Sequence, residues 1–155
     1  MKNPKTSAKI SLAICILSAA VLAVWLFTFP RFLQWFYVSY HGLNPAAAKV
    51  EQNEKIIITV FYVCAPFAAA ALYMLIRLLG NILKDQVFIA DNVRYLRLIS
   101  WCCYAVALAA AIGGIWYVPI FIIAFSTGVV GTLLRVVKNV IHAAVALREE
   151  NDLTI

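Results

Sequence analysis

At 155 residues, 65% apolar and only 13% charged, the chain lies far from the soluble norm of roughly 45–50% apolar and about 25% charged. Charge is confined to the termini and two polar hinges, which excludes a water-soluble globular domain and points to one integral membrane domain in a lipid bilayer. The net charge of +6 is explained by attraction to anionic lipid, and with no compact basic domain no direct nucleic-acid contact is expected.

Residues 1–9 carry Lys2, Lys5 and Lys9, and residues 10–29 follow with no charge. A run of that length, at about 1.5 Å per residue, matches a hydrocarbon core of roughly 30 Å. It exceeds the roughly 7–15 apolar residues of a cleaved signal peptide, so span one is expected to be retained as an anchor.

Residues 30–55 read as chain outside the bilayer core. Phe32, Trp35, Phe36, Tyr37 and Tyr40 suit the headgroup belt, and equally a lid that contacts a ligand. Asn44 followed by Pro45 resembles a helix N-cap and first helical residue, predicting a short helix over 46–53. Span two covers 56–79, and Pro66 within it should kink the helix by removing one backbone donor.

The segment 77–101 is a polar hinge, where Asp91 or Asn92 is placed to cap the N-terminus of span three. The run 98–134 then holds 37 uncharged residues, too many for one crossing of about 17–25 residues. It must turn. Gly113, Gly114 and Pro119 are its strong breakers, and Trp116 and Tyr117 are interface residues, so spans three and four are predicted at 98–114 and 119–138 around a tight outer hairpin. Arg97, Arg135 and Lys138 would snorkel to the headgroups.

Small residues recur at helical spacing: Ala107 with Ala111, Ala110 with Gly114, and Gly128 with Gly131. They allow close helix approach, either as seams of the bundle or in a homo-oligomer. Residues 139–155 form a cytoplasmic tail in which span four continues as an amphipathic helix, with Arg135, Lys138, Asn139 and His142 on one side. The acids Glu149, Glu150 and Asp152 close the chain and are expected to fold back onto Arg94 and Arg97.

With both termini in the cytoplasm, ten of the thirteen lysines and arginines lie inside, the arrangement favoured by the positive-inside rule. All seven acids fall outside the predicted spans, so no intramembrane carboxylate relay is expected. His41 and His142 sit on opposite sides and cannot share a haem. Cys15, Cys64, Cys102 and Cys103 form no metal spacing. No nucleophile, phosphate loop or cofactor motif appears, so neither catalytic, cofactor nor metal residues are assigned and the chain is not read as an enzyme.

Two blocks carry a resemblance. Val87 and Phe88 with Asn92, Leu96 and Arg97, together with the closing Glu149, Glu150, Asn151, Asp152, Leu153, Thr154 and Ile155, resemble a family of bacterial four-span inner-membrane proteins of unknown function. Its members show a phenylalanine, an asparagine and a leucine-arginine pair before span three, and end in an acid-rich D-L-T-I or D-L-T-V. Residues 142–146 depart from it, since relatives are expected to carry a glycine there. Such genes commonly sit beside a small helix-turn-helix regulator, which implies a signalling partnership.

The expected fold is all-α: an up-and-down four-helix membrane bundle with a cytoplasmic extension of the fourth helix, in the bacterial inner membrane. Two functions of different class follow. One is a regulatory membrane component presenting Phe88, Asn92, Arg94, Arg97, Glu149, Glu150, Asp152, Leu153 and Ile155 to a cytosolic regulatory protein. The other is a transporter subunit for a small solute or lipid. A polar cavity crossing the bundle would favour transport, and a dry alanine-packed core the regulatory scaffold.

Overall fold

Each apolar stretch becomes one helix in the computed structural model, which describes residues 4–41, 48–87 and 89–152, without the side chains of 4, 5, 40, 41, 48, 49, 149, 151 and 152. Helix α1 spans Pro4–His41, α2 Ala48–Leu83, α3 Ala90–Gly114 and α4 Ile120–Asp152. All four contain a segment long and apolar enough to cross a membrane. The chain is an all-α, multi-pass membrane protein.

The first two helices are longer than predicted. With 38 residues α1 extends about 57 Å, nearly twice the hydrocarbon thickness. Residues 30–41, read as chain outside the bilayer core, continue α1 through Pro30. The reason lies on the neighbouring helix. Pro30 has no N–H to donate to the Leu26 carbonyl, and the Tyr62 hydroxyl of α2 donates to that oxygen at 2.7 Å. A freed carbonyl satisfied in this way is what makes a proline tolerable inside a membrane helix. Asn44 and Pro45 lie outside the described residues, while 48–53 belong to α2 rather than to a separate short helix.

The helices pack antiparallel and in sequence order, α1 on α2, α2 on α3 and α3 on α4. Among the described residues no substantial packing joins α1 to α3 or α4, so the four form an open row and not a closed bundle. Aromatic rings fasten the edge helix: Phe29 stacks on Phe61 of α2 with centroids 4.1 Å apart, and Trp25 packs on Phe29 and Phe32.

Small residues make the other seams, as their spacing suggested. A Cβ on Gly113 would overlap Cγ2 of Val60, so this glycine lets α2 and α3 touch. On α4, a Cβ at Gly131 would stand 3.1 Å from Cβ of Cys103. Near Gly113, Ala110 is fully buried with Ile120 and Ala124 against Ile56, Ile57 and Val60 of α2. The hairpin falls where the breakers placed it: Trp116 N–H donates to the Gly113 carbonyl at 3.2 Å and Ile120 N–H to that of Tyr117 at 3.0 Å.

Candidate functional site

The α2–α3 turn holds the first of the two blocks singled out by sequence, and it is built from the backbone outward. Helix α2 ends in a Schellman motif, with Gln86 N–H donating to the Asn81 carbonyl at 3.0 Å and Asp85 N–H to that of Ile82 at 3.1 Å. Asp85 fills the left-handed position with φ of 61°, a conformation that a short polar side chain tolerates better than most. Ile89 is extended, with φ of −127° and ψ of 150°, and α3 starts at Ala90.

Asn92 closes this turn. Its amide nitrogen donates to the carbonyls of Gln86 and Val87, both at 2.8 Å, and its carbonyl accepts from Nδ2 of Asn81 at 2.9 Å. Only 1% of Asn92 is exposed, so its polar atoms are spent on the fold. The capping role expected of Asp91 or Asn92 is not observed: the N-cap position is Ile89, and no side chain bonds the free N–H groups there. Asn92 reaches backwards to the turn instead. Asp91 remains in the first helical turn, where a carboxylate suits the helix dipole.

Around this clasp the other predicted residues divide. Arg94, Arg97 and Glu150 are exposed, whereas Leu96 is core, with 4% of its surface accessible. Phe88, Leu153 and Ile155 lie outside the described residues, as do the side chains of Glu149 and Asp152. Arg77 of α2 stands beside Tyr95 of α3.

Helix α4 continues to Asp152 and lies along the start of α3, where Val93 and Val145 are both buried. Ala90, Val93 and Arg97 face His142, Val145 and Ala146 across a cleft of about 220 Å³. Glu149, Glu150 and Asp152 belong to α4, which stays helical to Asp152.

A second polar cluster, at the hairpin end, was not foreseen. Glu54 was assigned to an outer loop, yet it sits on α2, is 9% exposed, and accepts a 3.0 Å hydrogen bond from Nε2 of Gln34 on α1. Tyr37 shares a hydrogen bond with Tyr117 of the hairpin. Next to them, Lys55, Thr59, Val63, Ile112 and Trp116 border an apolar cavity of about 390 Å³, with Lys55 held by Glu51 at 2.6 Å. The signal was the Gln34 to Glu54 pair flanking the connection, hidden because Pro30 suggested that α1 had already ended.

Among the described residues no three of His, Cys, Asp and Glu converge on a point, and the four cysteines are free thiols. No solved structure matches the chain. Over 171 aligned residues it is 23% identical to the uncharacterized membrane protein YoaS of Bacillus subtilis (strain 168), covering 99% of both chains. The model of a family described as protein of unknown function, DUF2975, matches residues 31–155, from just after Pro30 to the closing isoleucine, and the chain belongs to that family.

Proposed function

We propose that the protein is a non-enzymatic regulatory membrane component that offers its α2–α3 turn and the end of α4 to a soluble cytosolic protein, such as a helix-turn-helix regulator. The observation that carries this reading is the turn itself. Buried Asn92 ties the connecting chain at Gln86 and Val87 to Asn81, while Arg94 and Arg97 stand exposed one and two turns along α3. A rigid, solvent-facing turn flanked by guanidiniums lowers the ordering cost of docking a partner. The alternative, a transporter subunit, would call for a polar path, and the place where α2, α3 and α4 meet is instead filled by Ala110, Ile120 and Ala124.

The partner test is a truncation. Deleting 149–155 is expected to leave insertion and thermal stability unchanged and to abolish co-purification of the cytosolic partner identified by mass spectrometry of the native complex. Exposed ion pairs contribute only ~0–1 kcal/mol each, so the association should also weaken as salt rises. Retention of the partner by the truncated protein, or unfolding of the helices, would remove the tail from this role.

Orientation has its own test, since the reading needs this end in the cytoplasm. A single cysteine introduced within 41–44, in a background free of the native thiols, should react with an impermeant thiol reagent added to intact cells. One introduced near Ile155 should not. The opposite pattern would turn the surface away from any cytosolic protein.

A further inference from the structure

We infer that the cleft between the start of α3 and the extension of α4 is a binding site for the headgroup of an anionic phospholipid. This goes beyond the partner reading and does not depend on it. The cleft holds about 220 Å³ and is amphipathic by construction. Its floor is Ala90, Val93, Val145 and Ala146, of which the two valines are buried at 4% and 7% exposure. Its rim is Arg97 from α3 and His142 from α4, both exposed.

More positive charge stands close by. Lys138, one turn before His142 on the same face of α4, is half-buried, and Arg94 is exposed one turn before Arg97. Two acids near the cleft have described side chains. Asp91 interacts with Arg77 of α2. Glu150 follows Ala146 by one turn on α4.

The chemistry selects the ligand. A guanidinium offers forked donors that match phosphate oxygens, and an imidazole nitrogen adds a third donor from the opposite helix. Valine and alanine below them offer nothing to a free, fully hydrated anion but suit the glycerol and first methylenes of a lipid. The residues that line the cleft stand at the ends of the membrane-length apolar segments of α3 and α4, so a bound headgroup can keep its acyl chains in the bilayer. Basic pockets between helices at a membrane surface are where acidic headgroups settle.

The test uses the full-length protein in a mild detergent, with native mass spectrometry counting retained lipid. The probes are phosphatidylglycerol, phosphatidylcholine with the same acyl chains, and inorganic phosphate. Wild type is expected to retain phosphatidylglycerol in preference to phosphatidylcholine. The double variant Arg97→Gln with His142→Gln should bind it more weakly by on the order of tenfold, whereas Arg31→Gln, toward the hairpin end, should behave as wild type. Arg97→Lys with His142→Lys places a cationic donor at both positions and should restore most of the binding, which separates a lost ligand contact from a lost fold.

Equal retention of both lipids would overturn the assignment, because headgroup charge would then not be read. So would unchanged phosphatidylglycerol binding in the glutamine variant, or failure of the lysine variant to restore it. If inorganic phosphate displaces the lipid at equal concentration, the cleft is a free-anion site and the lipid assignment fails.

Discussion

Asn92→Ala is expected to lower the unfolding free energy by about 3 kcal/mol, measured by reversible sodium dodecyl sulfate titration in mixed micelles. The truncation strands three groups at once: the Gln86 and Val87 carbonyls and Nδ2 of Asn81. Each buried group left without a partner costs about 1–3 kcal/mol, and partial access of water to the turn keeps the sum at the lower end. Asn92→Asp separates the contributions, since a carboxylate still accepts from Asn81 but cannot donate to the two carbonyls. Asn81→Ala should cost only about 1 kcal/mol, for one lost bond. Because the two asparagines share that bond, the double alanine variant should be less destabilised than the two single losses added together. A loss below ~0.5 kcal/mol for Asn92→Ala, the range of ordinary surface changes, would mean that the turn is held by its backbone alone.

The seam between α2 and α3 gives the second large effect. Gly113→Ala places a methyl group onto Cγ2 of Val60, and a β-branched residue in a helix has essentially one χ1 rotamer to occupy. The valine cannot swing aside, so the helices must part. Overpacking of this kind costs about 1–3 kcal/mol, and the gain of up to about 1 kcal/mol in helix propensity from glycine to alanine offsets only part of it. Val60→Ala removes the obstructing methyl groups. Combining it with Gly113→Ala should therefore give a protein no less stable than Val60→Ala alone. A stabilised Gly113→Ala single variant would show that α2 and α3 are not in contact at this point.

How much of this could be read from the residues depended on whether the signal was local. The hairpin at 115–119 was legible because two glycines, a proline and two interfacial aromatics interrupt a charge-free run too long for one span. The number of helices was legible for the same reason. The course of α1 was not, since Pro30 is a local stop signal that is overridden by the Tyr62 hydroxyl on the carbonyl of Leu26, 36 residues before it. Asn92 misled in the same manner. An asparagine at the start of a helix ordinarily caps it, and only the tertiary placement of Asn81, eleven residues earlier, shows that the side chain points backwards into the turn. For the candidate site, exposure of Arg94 and Arg97 followed from their charge. The pairing of Arg97 with His142 across a cleft needed the register of α3 on α4, which no local pattern encodes.

The open row has a consequence for how the protein is made. Every principal interface joins a helix to the one synthesised just before it, so no stretch of the nascent chain must await a distant partner, and the order of contacts can follow the order of translation. A chain that has delivered α2 already holds the Tyr62 to Leu26 bond that completes α1. One that has delivered the start of α3 already holds the Asn81 to Asn92 clasp. The cleft shared by Arg97 and His142 waits longer than the rest of the α3–α4 seam, because it needs the end of the last helix.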